Sequence, residues 1–175
     1  FTIGTPDKTA VCILADKEEI GSVGISGMQS HYFEHFMGGL CDAQGVKLED
    51  CFANSFCLSA DVSNAFDPNW PETCDRRNNS MLNYGVSICK YTGRGGKGGA
   101  SDASAEAMGH IRTTFEKAGV IWQIATLGKV DVGGGGTVAA YMANRNIVTV
   151  DAGVPVLSMH APLELVSKLD CYETM

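Results

Sequence analysis

Residues 147–160 read IVTVDAGVPVLSMH, two short apolar runs that end on a histidine. Runs of this length, rich in β-branched residues and bounded by turn residues, are typical of buried strands. We therefore predict strands over 147–151 and 154–158. His160 then follows the carboxyl end of the second strand, where its imidazole is a candidate metal ligand.

A similar pattern occurs near the start of the chain. Residues 9–19 read TAVCILADKEE, which predicts a buried strand over 9–16 followed by the adjacent carboxylates of Glu18 and Glu19. Two like charges at the mouth of a strand cost free energy unless a cation lies beside them, and a divalent metal ion meets that need. One carboxylate can bind the metal while the other accepts a proton from the attacking water. A Glu-Glu pair on a solvated surface is the alternative.

A third strand end carries an aspartate. The segment 56–62 is strand-like and contains Asp61. In open α/β sheets, ligands bind in the crevice outside the carboxyl ends of the strands, so Asp61, Glu19 and His160 would meet there. Zinc accepts carboxylate and imidazole ligands, and catalytic zinc sites keep one position open for water. The three strand ends together predict a metal site, which none of them would predict alone.

The rest of the chain alternates between strand and helix patterns. The predicted strands include 86–91 and 120–127, and segment 64–80, rich in Asn, Pro and Asp, is a long loop. The predicted helices are 28–40, 102–118, 137–144 and a closing helix with Pro162 in its first turn. Such alternation indicates an α/β domain in which helices cover both faces of a mostly parallel, mixed sheet, a three-layer arrangement.

Composition limits the function classes. The 175 residues carry a formal net charge of −7, which repels phosphate backbones and argues against nucleic-acid binding. The apolar runs are too short to span a bilayer, so no membrane partner is expected. The seven cysteines are odd in number and lack CxxC spacing, which favours a reducing, cytoplasmic setting over a disulfide scaffold.

Two glycine clusters, 93–99 and 133–136, are as rich in glycine as phosphate-binding loops, but they lack the sequence motifs of such loops. Neither has the Gly-Lys-Ser/Thr of a Walker loop, and 133–136 lacks the spacing of a dinucleotide-binding turn. A flexible loop and a tight turn, respectively, are the simpler interpretations. The backbone N–H groups of 133–136 could also hold a substrate carbonyl or carboxylate.

Taken in order, these phrases resemble the aminopeptidase I / aspartyl aminopeptidase family of two-metal exopeptidases, in its bacterial branch. The segments that carry the resemblance are DKEEIGS at 16–22, SAD at 59–61, DPNWP at 67–71, 120–136 and DAGVPVLSMH at 151–160. The resemblance extends over essentially the whole chain. It implies a metalloaminopeptidase of zinc-peptidase (phosphorylase/hydrolase-like) fold that removes the N-terminal residue from short peptides.

The resemblance also implies roles for single residues. Glu18 would be the general base, Glu19 and His160 would bind one metal ion, and Asp61 would bind the other. Lys90 is similar to a lysine that some members use near the substrate. The implied cofactor is two divalent ions, zinc first, with manganese or cobalt as alternatives. The implied assembly is a homo-oligomer, commonly a dodecamer.

One departure from the family is large. Family members carry two further ligands upstream of the Glu-Glu pair: a His, and an Asp that bridges the two metals. A dimerisation domain is inserted between these two residues. We therefore expect residues 1–175 to be the C-terminal portion of a catalytic domain, with about half of the metal ligands. By itself this portion is expected to bind metal poorly and to lack activity.

Several alternatives stay open from the sequence. A carboxypeptidase or an amide deacylase uses a similar two-metal site, and a non-enzymatic assembly subunit would need no metal. Preference for an acidic first residue would require a cation in the pocket. Lys90, Arg76, Arg77 and Lys97 are the candidates for that cation.

Overall fold

The computed structural model describes residues 4–96, 98–99 and 101–175. Its helices are α1 Tyr32–Gln44, α2 Leu48–Ala53, α3 Ala105–Ala118, α4 Ala139–Ala143 and α5 Lys168–Thr174. Its strands are β1 Phe56–Ser59, β2 Ser63–Asn64, β3 Val86–Tyr91, β4 Trp122–Thr126, β5 Val148–Gly153, β6 Pro155–Leu157 and β7 Leu165–Val166. Two short 3-10 turns cover Glu18–Ile20 and Pro71–Thr73.

The main sheet has four strands in the order β1-β5-β3-β4. β1 pairs in parallel with β5 and β3 pairs in parallel with β4, whereas β3 and β5 are antiparallel. A small second sheet has the order β2-β6-β7, with β2 and β6 parallel. The mostly parallel, mixed sheet predicted from the sequence is therefore confirmed.

Helices pack on both faces of the main sheet. Alternate residues of a strand point to opposite faces, and on one face Val150 and Ile88 pack with Met108 of α3. A second cluster joins α1, α2 and α4, and includes the stacked rings of Phe33 and Phe52, 5.5 Å apart. The sheet thus lies between two helical layers, as the α/β pattern predicts. Among the residues that the structure describes, none forms a helix with the length and apolarity that a bilayer crossing requires.

The predicted strand over 9–16 is wrong. Every residue of this segment is described, yet only Asp16 forms a bridge, to Gly27, and residues 9–15 are exposed. Its apolar pattern indicates burial, but a strand is stable only when a neighbouring strand satisfies its backbone groups. The described residues offer no such neighbour to 9–15.

The helices begin or end at other residues than predicted where a capping group, and not the apolar pattern, sets the boundary. α1 continues through Gly38 and Gly39 and ends at Gly45, whose φ of 67° is the left-handed C-cap conformation. α3 begins after Ser104, which accepts a hydrogen bond from the Ala107 N–H, so it starts three residues later than 102. α2 was not predicted, because six residues are too few to show a helical period.

The closing helix does not begin at Pro162. α5 starts after Ser167, whose hydroxyl accepts hydrogen bonds from the N–H groups of Leu169 and Asp170 at 3.2 and 3.4 Å. Asp170 is fully buried, and its carboxylate accepts from the N–H groups of Asn83 at 2.7 Å and Gly85 at 2.8 Å. This carboxylate ties α5 to the turn that leads into β3.

We expect the Asp170→Ala variant to unfold more easily, because two backbone N–H groups lose a charged acceptor. The expected cost is about 2–4 kcal/mol of unfolding free energy. Urea denaturation of Asp42→Ala, which removes an exposed carboxylate, is the control and should change the free energy by less than about 0.5 kcal/mol. Equal stability of the two variants would contradict the anchoring role.

Candidate metal-binding site

The four residues predicted for the site line one cavity. Glu18, Glu19, Asp61 and His160 all contribute to its wall, and its volume is about 270 Å³. They come from three separate parts of the chain: the 3-10 turn, the segment after β1 and the turn after β6. The structure therefore brings together groups that are more than a hundred residues apart in sequence.

The Glu18-Glu19 pair is held by a tight turn. Lys17 and Gly21, which flank the turn, have φ values of 64° and 86°, and the Gly21 N–H donates to the Glu18 carbonyl at 2.9 Å. The Gly21 carbonyl in turn accepts from Tyr141 Oη of α4 at 3.2 Å. The turn is thus attached to the helical layer, although the segment before it makes no strand.

Asp61 is positioned by close backbone packing. Its carboxylate accepts from the Val62 N–H at 2.7 Å. Gly153, at the end of β5, lies so close that a Cβ there would overlap the Asp61 carbonyl oxygen. A glycine is therefore required at this point for β5 to pass the segment that carries Asp61.

His160 follows β6 in a strained turn. Both Ser158 and His160 have left-handed backbone conformations, with φ values of 58° and 67°. The His160 N–H donates to Glu164 Oε1 at 2.6 Å, which stabilises the turn. The His160 imidazole Nε2 lies 3.1 Å from Glu19 Oε2.

The spacing of Glu19 and His160 fits a shared metal ion. Two ligands of one tetrahedral zinc lie about 3.3–3.5 Å apart, given bond lengths of about 2.0–2.2 Å. The observed 3.1 Å is close to that value. Carboxylate and imidazole are also ligand types that zinc accepts. Within the described ranges, however, no group of three or more His, Cys, Asp and Glu side chains is arranged to hold a metal ion.

The electrostatics of the site favour a cation. Burial, followed by the Asp61 and Glu19 carboxylates, raises the pKa of Glu18. Burial, with a smaller effect of Glu19, likewise raises the pKa of Asp61, and His160 acts in the opposite direction. A neighbouring carboxylate raises the pKa of Glu18 and of Asp61 because it disfavours a second negative charge nearby. A bound divalent ion would relieve that repulsion.

Another part of the cavity wall is made of backbone. Gly134, Gly135 and Gly136 line it, with Thr137 beside them. Gly134 has a φ of 132°, and a Cβ at this position would overlap the Leu127 carbonyl oxygen. The glycine cluster makes the close backbone approach that was predicted, but residues 133–137 are irregular and form no turn. The cluster also lies at the site. Asn64 and Met159, which line the same cavity, were not selected as candidates.

Comparison with known proteins identifies the family. Residues 2–175 match the family model described as aminopeptidase I zinc metalloprotease (M18). This chain belongs to the M18 aminopeptidase family. The resemblance inferred from the sequence is therefore confirmed.

Relatives within the M18 family are similar over nearly all of this chain. A probable M18 family aminopeptidase 1 of Borreliella burgdorferi (strain ZS7) is 46% identical over 174 residues, which are 96% of this chain and 38% of that protein. The Clostridium acetobutylicum relative of the same name is 48% identical over 171 residues, 95% of this chain and 37% of its own length. The chain thus spans about 38% of the length of the curated relatives it matches.

Solved M18 structures share the fold. An aminopeptidase of Thermotoga maritima superimposes with a TM-score of 0.85 at 41% identity, covering 91% of this chain and 37% of that one. Aminopeptidase I of Clostridium acetobutylicum gives a TM-score of 0.81 at 47% identity, covering 91% and 35%. A Saccharomyces cerevisiae mApe1 structure, described as a dodecamer, has a TM-score of 0.66 at 24% identity, covering 91% and 34%, and supports the fold alone.

Lys90 lies apart from the four acidic and imidazole groups. Its ammonium group pairs with Asp102 and donates to the Ala103 carbonyl at 2.6 Å, and it does not line the cavity. Arg76 is stacked over the Phe66 ring at 5.0 Å. Arg77 is exposed, and Lys97 lies outside the described residues. A substrate role for Lys90 stays a prediction of the M18 resemblance.

Asp151 is a buried carboxylate behind the M18 site. It is 4% exposed, and its Oδ2 accepts from Thr137 Oγ1 at 2.6 Å. Burial, opposed by the Ser59 and Thr137 hydroxyls and assisted by the charge of Asp61, raises the pKa of Asp151 to about 6. Ionisation of Asp151 therefore opposes folding, because the folded chain favours the neutral form.

This shift predicts a pH-dependent effect of the Asp151→Asn substitution. As pH rises from about 4 to about 6, ionisation of Asp151 removes about 3 kcal/mol of unfolding free energy, given 1.36 kcal/mol per pKa unit. The asparagine keeps the acceptor for Thr137 and carries no charge. Urea denaturation in chelator should find the variant more stable than wild type at pH 7 and nearly equal to it at pH 4. The same difference at both pH values would contradict the shift.

Proposed function

We propose that these residues belong to a metalloaminopeptidase that removes the N-terminal residue from short peptides. The observation that carries this proposal is the cavity in which Glu18 lies beside the Glu19–His160 pair and Asp61, in a chain of the M18 family. The chain spans about 38% of the curated relatives it matches, and from the M18 resemblance we propose that residues 1–175 form the C-terminal portion of the catalytic domain. The remaining ligands, a histidine and a bridging aspartate, would come from elsewhere in the polypeptide.

We propose that the chain contributes to two metal positions. Glu19 and His160 would hold one ion, a role supported by the 3.1 Å between their ligand atoms. Asp61 would hold the second ion, together with ligands outside this chain. Zinc is the first choice, with manganese or cobalt as alternatives. When bound, such ions polarise a carbonyl oxygen and lower the pKa of water.

Glu18 is proposed as the general base. Its carboxylate would accept a proton from the attacking water and pass it to the departing amine, so the same group acts first as base and then as acid. Burial and the neighbouring carboxylates raise the pKa of Glu18, which makes it a better proton acceptor than an exposed glutamate. Glu19 pairs with His160, so the Glu18 carboxylate is available to accept the proton.

Glu18→Gln in the complete protein should lower kcat by about 10²–10⁴, because the amide cannot accept the proton. Metal content should be unchanged, since Glu18 is not a proposed ligand. Aminoacyl reporters measure kcat, and Glu49→Gln, an exposed change in α2, is the matched control. Near-normal turnover by Glu18→Gln would reject the assignment. N-acetylated reporters test the class of reaction, because an aminopeptidase must leave them intact.

His160→Ala should reduce zinc binding at one position. The variant removes an imidazole ligand while leaving Asp61 in place, so we expect about one equivalent of zinc fewer per chain than wild type. Elemental analysis after gel filtration measures this. His35→Ala removes an exposed imidazole of α1 and should retain the wild-type zinc content. If both variants keep full zinc, His160 is not a ligand.

The oligomeric state and the cellular location of the protein are also proposals. We propose a homo-oligomer, and the M18 resemblance implies that it is commonly a dodecamer. All seven cysteines are free thiols, and Cys41, Cys74 and Cys89 are buried, which supports a reducing, cytoplasmic setting.

A further inference from the structure

A second cavity adjoins the proposed catalytic site. Its volume is about 230 Å³, and Asn64 and Met159 line both cavities. The second cavity lies between the loop that follows β2 and the turn that follows β6. A group bound at Glu18 could therefore extend directly into it.

The walls of the second cavity combine apolar side chains with neutral polar ones, and they include one carboxylate and one indole. The apolar part is made by Ala65, Cys74 and Leu157, of which Ala65 and Cys74 are buried. Asn64, Thr73 and Ser158 supply neutral polar groups. Asp67 supplies the carboxylate and Trp70, which is 63% exposed, the aromatic ring. An apolar wall with a carboxylate and an aromatic ring suits a ligand with an alkyl stem and a cationic end.

The charge around this cavity disfavours a carboxylate. Among the described residues that line either cavity, none is a lysine or arginine. Two of the candidate cations have other partners: Arg76 stacks on the Phe66 ring and Lys90 pairs with Asp102. An acidic side chain placed here would meet Asp67 without a compensating cation, which costs free energy.

Asp67 is held in a fixed orientation. Its Oδ1 accepts from the Asn69 N–H at 2.8 Å, the two-residue turn that aspartate commonly forms. Asp75 makes the same kind of turn with the Arg77 N–H at 3.1 Å, in the same loop, and does not line the cavity. The loop therefore contains a second carboxylate in the same kind of turn, which also accepts from Asn78 Nδ2 at 2.7 Å and, unlike Asp67, is not part of the cavity wall.

We propose that the second cavity receives the first side chain of the peptide substrate and favours lysine or arginine over glutamate or aspartate. The alkyl stem would pack on Ala65, Cys74 and Leu157, and the cationic end would face Asp67 and Trp70. This inference rests on the proposed aminopeptidase function, and it names the substrate class of that same site.

The test compares lysyl, norleucyl and glutamyl reporters on the complete protein. Norleucine has the alkyl stem of lysine without the cation, so the lysyl-to-norleucyl ratio of kcat/KM isolates the charge. Wild type should prefer lysyl over glutamyl reporters. Asp67→Asn keeps the acceptor for the Asn69 N–H and should lower the lysyl-to-norleucyl ratio about two- to fivefold, the effect of one partly exposed charge. Asp75→Asn should leave the ratio unchanged.

Trp70→Leu provides a second variant should Asp67→Asn fail to fold. It removes the aromatic face and should lower the same ratio about two- to fivefold. A wild-type preference for glutamyl reporters, or a ratio that stays within twofold in both variants, would overturn the inference.

Failure of the proposed function gives a different result. If no reporter is cleaved, the aminopeptidase proposal fails, and calorimetric binding of L-lysinamide and L-norleucinamide then decides the inference. Tighter binding of lysinamide that is lost in Asp67→Asn supports the second cavity as a cation-selective subsite. Equal binding of the two amides overturns it.

Discussion

The parallel pairing of β1 with β5 is the interaction on which the site depends. It sets Ser59 opposite Asp151, so both strands end at the same edge of the sheet. From that edge β1 continues to Asp61, and β5 continues through β6 to His160. Gly153 lets the two paths approach closely, because any side chain there would overlap the Asp61 backbone. A one-residue slip in this pairing would move Asp61 away from His160 and reverse the buried and exposed faces of β1.

The same edge concentrates negative charge in a partly buried place. Burial raises the pKa of both Glu18 and Asp61, with a further contribution from a neighbouring carboxylate in each case, and Asp151 is buried behind them with a pKa raised to about 6. An arrangement of this kind lowers the stability of the chain unless a cation binds there. Function and stability are therefore opposed at this edge, as is common where charged groups are assembled for chemistry. The buried Asp170, which only anchors a helix, lies away from it.

The sequence predicts which residues line the cavity better than it predicts the elements that hold them. The bounds of β3 are predicted without error at 86–91, and the structure gives this segment a partner on each side, β4 and β5. Segment 9–16 is also largely apolar and forms no strand, because strand formation depends on a partner that local sequence does not show. Glu18 and Glu19 nevertheless reach the cavity, through the turn at Lys17 and Gly21. The start of α5 depends on the Ser167 cap. The sequence suggested a start near Pro162 instead, because proline is common in the first turn of a helix.

The central claim is that Glu19 and His160 hold one metal ion while Asp61 faces a second. The most direct measurement is a crystal structure of the complete protein grown with zinc, with anomalous diffraction recorded at the zinc edge. The account predicts one anomalous peak about 2.0–2.2 Å from both the Glu19 carboxylate and the His160 imidazole, and another at the same distance from Asp61. Zinc peaks elsewhere in the molecule, with Glu19 and His160 bound only to each other, would contradict it.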